Sequence, residues 1–176
     1  MGAEDNLKEK YDFISEKIKD KEQDYLSYLL IFAFKGQRDF ETSPNNVVKC
    51  LDNLVDSTDE KILMNNFNCL QNLKGVAFAT ASAILHFKFP ETYAIIDENA
   101  LLGIEKETGR SLGKIIYDKK DNTPEYSKLK KNIELYKSYL DFLTKNLKVN
   151  GGEFESLRQA ELHYFTAGKS YKTNSV

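Results

Sequence analysis

Residues 73–97 read LKGVAFATASAILHFKFPETYAIID, and the expected fold of the chain is inferred chiefly from them. Leu73 ends one helix at a turn around Gly75, where glycine supplies a backbone angle that other residues disfavour. The residues from Phe78 or Ala79 to about Phe87 then form a second helix, whose small side chains let two helices approach closely. The stretch therefore predicts a helix-hairpin-helix at about residues 68–88.

Such a hairpin can bind a DNA phosphate through backbone N–H groups at the start of its second helix, without any side-chain charge. The predicted DNA-binding residues are those of the turn, the first helical turn and a flanking lysine on each side: Lys74, Gly75, Val76, Ala77, Ala79, Thr80 and Lys88. For the two lysines, a solvated surface position is an alternative interpretation. DNA is therefore the predicted partner.

The same stretch resembles the hairpin-plus-aspartate motif of the helix-hairpin-helix DNA glycosylase superfamily. The matching positions are Leu73, Gly75, Val76, Thr80, Ala81, Ile84, Leu85, Pro90 and Asp97. The distinctive part covers residues 73–97, and a looser similarity, all-helical and ending in Leu-Arg-x-x-Glu, extends beyond it. The resemblance implies an all-α, glycosylase-like bundle with two helical lobes that meet near residues 75–97.

The sequence departs from the superfamily pattern inside the hairpin. Ala77 stands where the second hairpin glycine is expected, and Ala79 stands where bifunctional members carry a Schiff-base lysine. Imine (lyase) chemistry at that position is therefore not predicted. The chain has only two cysteines, Cys50 and Cys69, so the four-cysteine cluster of the endonuclease III branch is absent as well.

The resemblance gives the catalytic role to Asp97, which precedes a plausible helix start. In a monofunctional glycosylase, a carboxylate near the sugar stabilises a developing oxocarbenium ion once the base has been flipped out of the duplex. A helix N-terminus also favours a negative charge. The alternative is that Asp97 merely caps the helix that follows it.

Four other titratable residues are candidates for a functional role. Arg158 and Glu161 fall inside the apolar arc of the last helix, spaced i, i+3 so that they can pair. They form either a partly buried structural ion pair or part of a pocket near Asp97. His86 and His163 could act as general acids or bases, although a lone histidine on a half-apolar helix is usually structural. No spacing suggests a metal site, and no cofactor is expected.

Composition favours a packed helical protein over a disordered or membrane-spanning one. Of the 176 residues, 41% are hydrophobic and 30% charged, and only three are proline. The longest apolar run, residues 28–34, is far shorter than the roughly 18 residues that span a bilayer. A net charge of -2 excludes a strongly basic nucleic-acid binder but not a local basic face. The acidic N-terminus and the cysteine count indicate a cytoplasmic protein with reduced thiols.

Apolar spacing and capping residues predict one helical domain over residues 1–169, followed by a flexible tail at 170–176. Outside the hairpin, helices are predicted at 4–19, at 21–34, after Ser43-Pro44, after a cap at Ser57 or Thr58, from Asp121 to about 149 and at 153–167. Gly103 is expected to interrupt a helical region, and residues 112–117 are either a short strand or irregular chain. The longest helix is either a coiled-coil seam or, given its wide apolar arc, a core helix.

Three functions follow from these observations. The first is a DNA-binding protein of glycosylase fold that hydrolyses an N-glycosidic bond with Asp97. The second is a non-catalytic DNA- or protein-binding helical module of the same fold, which Ala77, Ala79 and the acidic charge balance favour. The third is a helical protein that oligomerises through its longest helix.

Overall fold

The computed structural model describes residues 9–16, 25–35, 43–117 and 125–173, and within these ranges the protein is all-α. The helices are α1 (residues 9–16), α2 (Tyr25–Phe34), α3 (Pro44–Asp52), α4 (Glu60–Gln71), α5 (Phe78–Lys88), α6 (Glu98–Thr108), α7 (Glu125–Lys145) and α8 (Leu157–Thr173), with a 3₁₀ turn at Lys148–Asn150. The all-α prediction is confirmed, and residues 110–117 are irregular rather than a strand. None of the described helices is both long and apolar enough to cross a membrane.

Capping side chains fix the start of two helices. Ser43 Oγ accepts from the N–H three residues on at 3.5 Å, and Pro44 is the first residue of α3, as predicted. α4 is capped by Asp59, whose carboxylate accepts from two N–H groups of the first turn at 2.9 and 3.3 Å. The predicted cap at Ser57 or Thr58 is therefore wrong. Ser57 Oγ instead accepts from the N–H of Asp59, one residue before the helix begins.

An isolated bridge sets the limits of the last two helices. Leu147 pairs with Phe154, so α7 ends before the predicted position 149 and α8 begins after the predicted position 153. The predicted C-terminal tail is helical as far as Thr173, because α8 continues to that residue. The remainder of the tail and the outer parts of the first two predicted helices lie outside the described residues.

α7 is a core helix. Its buried residues cover a wide arc rather than a narrow stripe: Leu129, Asn132, Ile133, Leu135, Tyr136, Tyr139, Leu140, Phe142 and Leu143. The apolar ones belong to the same core cluster as the buried residues of α4 and α5. From Leu129 onward, the apolar positions of the coiled-coil interpretation therefore lie in this core, and only Tyr126 among those described up to Leu143 is exposed. Oligomerisation through α7 stays a prediction. The two-lobe arrangement stays a prediction.

α6 and α8 cross with their backbones in direct contact. A Cβ atom on Gly103 would lie 1.9 Å from the carbonyl oxygen of Tyr164, and one on Gly168 would lie 1.9 Å from that of Asn99. Real Cβ atoms do not approach oxygens this closely, so both positions require glycine. Gly103 therefore lies inside α6 as a packing residue, and the expectation that it interrupts a helix is wrong.

Cys50 in α3 and Cys69 in α4 are joined by a disulfide, with their Cα atoms 5.9 Å apart. This separation is within the usual range for a disulfide. The prediction of two reduced thiols is therefore wrong. It rested on the number of cysteines, which carries no information about how α3 packs on α4.

Candidate functional site

Two helices joined by a short turn lie where the hairpin was predicted. Gly75 adopts a left-handed conformation with φ of 78°, and the N–H of Val76 donates to the carbonyl of Leu73 at 3.2 Å. Ala77 immediately precedes α5 and makes no side-chain cap. The first N–H groups of α5 therefore receive no acceptor from their N-cap side chain, and such groups can bind an anion.

The predicted DNA-binding residues of the turn differ in exposure. Lys74 and Gly75 are exposed, and Ala77 is half-buried. The side chains of Ala79 and Thr80 are buried, at 8% and 1% exposure, as is that of Val76. Any contact of the buried residues with a phosphate would be made by their backbone.

Lys88 is not brought to the turn. It ends α5, and at a rise of about 1.5 Å per residue it lies about 15 Å along the axis from the first residue of the helix. Its side chain is half-buried, and burial lowers the pKa of its amine, an effect that Asp52 opposes. The structure thus separates Lys88 from the turn, and its contact with a phosphate stays a prediction.

An extended stretch, which we call the return segment (residues 93–97), runs back along α5 toward the hairpin. His86 Nδ1 lies 2.6 Å from the carbonyl oxygen of Tyr93, and Ser82 Oγ accepts from the N–H of Ile96 at 3.1 Å. Because 93 pairs with 86 and 96 pairs with 82, the segment is antiparallel to α5. The residue that ends the segment therefore lies beside the N-terminal half of α5, nearer the turn.

Two buried tyrosines of α7 hold the backbone of the return segment from the other side. Tyr136 donates its hydroxyl to the carbonyl of Ala94 at 2.7 Å and accepts from the N–H of the same residue at 3.2 Å. Tyr139 donates to the carbonyl of Ile95 at 3.0 Å. Burial raises the pKa of both phenols, so both are neutral donors.

Asp97 ends the return segment and is the N-cap of α6. One carboxylate oxygen accepts from the N–H of Asn99 at 2.8 Å, so Asp97 makes the capping bond that the alternative interpretation predicted. The other oxygen, Oδ2, lies 3.9 Å from Lys35 Nζ. The two side chains are 25% and 16% exposed, so this carboxylate remains partly accessible to solvent.

Arg158 and Glu161 form the predicted ion pair, with Nη1 of the arginine 2.5 Å from a carboxylate oxygen of the glutamate. Their side chains are only 14% and 4% exposed. Burial raises the pKa of Glu161; Arg158 and then Lys35 oppose the rise, and Asp97 adds to it. Glu161 is therefore within electrostatic range of both Arg158 and Asp97.

Lys35 and Tyr117 are neighbours of Asp97 that the sequence did not indicate. Tyr117 is 48% exposed, and burial, followed by the charges of Glu98 and Asp97, raises its pKa to about 12. Its ring is thus an accessible aromatic surface near the candidate carboxylate. No spacing in the sequence links positions 35 and 117 to position 97, because folding alone brings them together.

The two histidines have structural partners. His86 is buried, and its Nδ1–H donates to the carbonyl of Tyr93, so Nε2 accepts from the hydroxyl of Tyr11 at 2.7 Å. Burial lowers the pKa of His86 to about 4. His163 is exposed and lies 2.7 Å from a carboxylate oxygen of Glu107. No cluster of three metal-ligating side chains occurs in the part of the chain that the structure describes.

Comparisons of the chain with protein-family models, with curated proteins and with solved structures found no match. What the protein does must therefore be inferred from its own residues.

Proposed function

We propose that this chain is a DNA-binding protein of helix-hairpin-helix glycosylase type, and that it hydrolyses the N-glycosidic bond of a flipped base with Asp97 as the essential carboxylate. The observation that carries the proposal is the return of Asp97 along α5 to the half of that helix nearer the hairpin turn. Backbone groups suited to a phosphate and a carboxylate suited to a sugar cation are thereby parts of one braced unit.

The hairpin supplies the DNA contact. A protein of net charge -2 gains little from long-range attraction to DNA, so binding must come from short-range contacts. The N–H groups at the start of α5, next to the exposed Lys74 and Gly75, are suited to one phosphate. Tyr117 offers an accessible ring on which an unstacked base can rest.

The proposed reaction is a hydrolysis. The bond between the base and C1′ breaks, the electron pair leaves with the base, and the sugar becomes positively charged. Asp97 stabilises that charge until water adds its oxygen to C1′. One proton of that water stays on the new C1′ hydroxyl, and the other goes to the departing base, directly or through solvent. Because Ala79 carries no amine, the product is an abasic site in an unbroken strand.

A second candidate is the non-catalytic DNA- or protein-binding module. The structural duties of Asp97 favour it, since one oxygen caps α6 and the other faces Lys35. A cytoplasmic location belongs with either DNA-binding proposal, although the Cys50–Cys69 disulfide is more usual in oxidising compartments.

The change Asp97→Asn separates the two candidates. Asparagine caps a helix about as well as aspartate, so stability should fall by less than about 1 kcal/mol. If the carboxylate stabilises the sugar cation, base release should fall by about 10²–10³, the usual loss for one focused electrostatic contact. The measurement is single-turnover release of modified bases from duplex oligonucleotides, with thermal melting alongside.

Asp59→Asn is the matched control, because Asp59 caps α4 in the same manner. It should leave base release unchanged. Wild-type protein that binds DNA and releases no base from a broad panel would favour the binding module. A covalent adduct trapped by borohydride would contradict hydrolysis and would point to Lys35, whose amine lies beside Asp97.

DNA binding itself is tested at the turn. Gly75→Ala places a side chain on a left-handed residue, φ 78°, and should weaken DNA binding by disturbing the N–H groups of the hairpin. Gly109→Ala imposes the same backbone strain, φ 69°, at the end of α6 and serves as the control. Equal affinities of the two variants for duplex DNA at low salt would remove the hairpin from the interface.

A further inference from the structure

Arg158 has two donors that no described residue uses. Nη1 bonds to Glu161, but Nε and Nη2 are buried and have no hydrogen-bond partner among the described residues. Buried donors are normally paired, and an arginine fork left without acceptors is costly. These two N–H groups are therefore available to a bound ligand.

The unused donors have a defined geometry. Nε–H and Nη2–H leave the same edge of the planar guanidinium and run parallel, so they match a ligand with two adjacent acceptors in one plane. Glu161 holds Nη1 and so fixes the orientation of that edge. A ligand with a single acceptor, or with an acceptor next to a donor, would leave one N–H unpaired.

An aromatic ring covers one face of the Arg158 guanidinium. The guanidinium carbon lies 4.0 Å from the centre of the Tyr11 ring, and the hydroxyl of that tyrosine is held by His86. Tyr11 thus covers a face of the guanidinium, whereas the unpaired donors lie at its edge. The charge of Asp97 raises the pKa of Glu161, so Asp97 acts electrostatically on the residue that holds Arg158.

We propose that the Nε–Nη2 edge of Arg158 selects the flipped base, and that it accepts bases with two adjacent hydrogen-bond acceptors. This inference rests on the proposed function and names its substrate class. Purines with an oxygen at C6 and a free N7 have such a pair, and so does cytosine with O2 and N3. Adenine, thymine and uracil lack one, because each of their acceptors at the base edge is flanked by a donor or a carbon.

Binding of free bases tests the selection without requiring catalysis. Hypoxanthine and adenine differ in the group at C6, and cytosine and uracil form a second pair. We expect calorimetric titration of the protein to show hypoxanthine and cytosine bound at least about tenfold more tightly than adenine and uracil. Arg158→Lys keeps the charge and removes the fork, so this preference should disappear.

Tyr11→Ala removes the ring that covers the Arg158 guanidinium and is measured in parallel. If Tyr11 blocks access of the free bases in wild type, the preference for hypoxanthine should then be seen in this variant. The proposal is overturned if neither wild type nor Tyr11→Ala distinguishes hypoxanthine from adenine. It is also overturned if acetate or phosphate binds at Arg158 and the bases do not, because the edge would then serve an anion. These comparisons remain valid if Arg158→Lys fails to fold.

Base release distinguishes this inference from the proposed function. Release of no base by wild type, together with selective binding of hypoxanthine, would reject the hydrolase and support the Arg158 assignment. Asp97-dependent release of adenine and hypoxanthine at equal rates would support the hydrolase and reject the assignment.

Discussion

Asp97 can cap a helix and serve a reaction because its two oxygens are used separately. Oδ1 accepts from the N–H of Asn99, whereas Oδ2 lies at the longer distance of 3.9 Å from Lys35 Nζ. The cap fixes the orientation of the carboxylate, and the Asp97 side chain as a whole remains 25% exposed. A structural duty at this residue is therefore compatible with the proposed catalytic one.

His86 makes stability depend on acid pH. Its pKa is about 4 in the folded protein and near 6.5 when unfolded, so between these values the unfolded chain binds a proton that the folded protein does not. The stabilisation present above pH 6.5 should therefore decline as pH falls toward 4, by on the order of 3 kcal/mol. Denaturant unfolding at a series of pH values measures this slope.

His86→Asn keeps a donor for the carbonyl of Tyr93 and removes the titration, so its slope in this range should be shallower than that of wild type. His163→Asn is the control, since His163 is exposed. Identical slopes for wild type and His86→Asn would contradict the burial of His86 in its neutral form.

The sequence predicted residues whose role is local and missed those whose role is not. A helix start after Asp97 and the i, i+3 pairing of Arg158 with Glu161 depend on neighbours within one turn, which spacing reveals. Lys35 lies 3.9 Å from Asp97, and the charge of Asp97 raises the pKa of Tyr117, but nothing near positions 35 and 117 in the sequence indicates either interaction.

The close crossing of α6 and α8 makes the stability of the protein sensitive to a single added methyl group. Gly103→Ala would put a methyl group into the carbonyl of Tyr164, so the helices must separate along their contact. We expect a loss of about 3 kcal/mol, at the upper end of overpacking changes. Urea unfolding measures it.

Gly109→Ala is again the comparison, because no atom lies within 4 Å of its added Cβ and only backbone strain remains. That variant should lose about 1–2 kcal/mol. Equal losses of stability in the two variants would mean that α6 and α8 move apart without any further loss of stability.

Helix limits set by neighbouring residues were easier to predict than limits set by distant contacts. Ser43 and Pro44 define their helix by local chemistry, and the structure places α3 where they indicate. The end of α7 and the start of α8 depend instead on the bridge between Leu147 and Phe154, which is a contact between two separate stretches of backbone. The disulfide was missed for the same reason.

The return segment forms hydrogen bonds with α5, with α7 and with the chain that precedes α4. Its backbone is bonded by α5 on one side and by α7 on the other, and the hydroxyl of Tyr93 reaches the carbonyls of Val55 and Ser57 before α4. A buried extended segment outside any sheet has no neighbouring strand to pair its backbone N–H and C=O groups, so side chains must pair them. The position of Asp97 is therefore set by residues from several helices.

Tyr136→Phe tests this dependence. The change removes one hydroxyl and leaves both the N–H and the carbonyl of Ala94 buried without that partner. Each such group costs about 1–3 kcal/mol, so we expect a loss of about 3 kcal/mol and a melting temperature lower by roughly 6–12 °C. Tyr126→Phe, on the same helix at 70% exposure, should change neither. If Tyr136→Phe has the same melting temperature as wild type, the return segment is held by packing alone. The second readout is base release at a temperature where both variants are folded. If Tyr136→Phe is destabilised and its base release falls further than that of Tyr126→Phe, the hydrogen bonds to the segment also position Asp97.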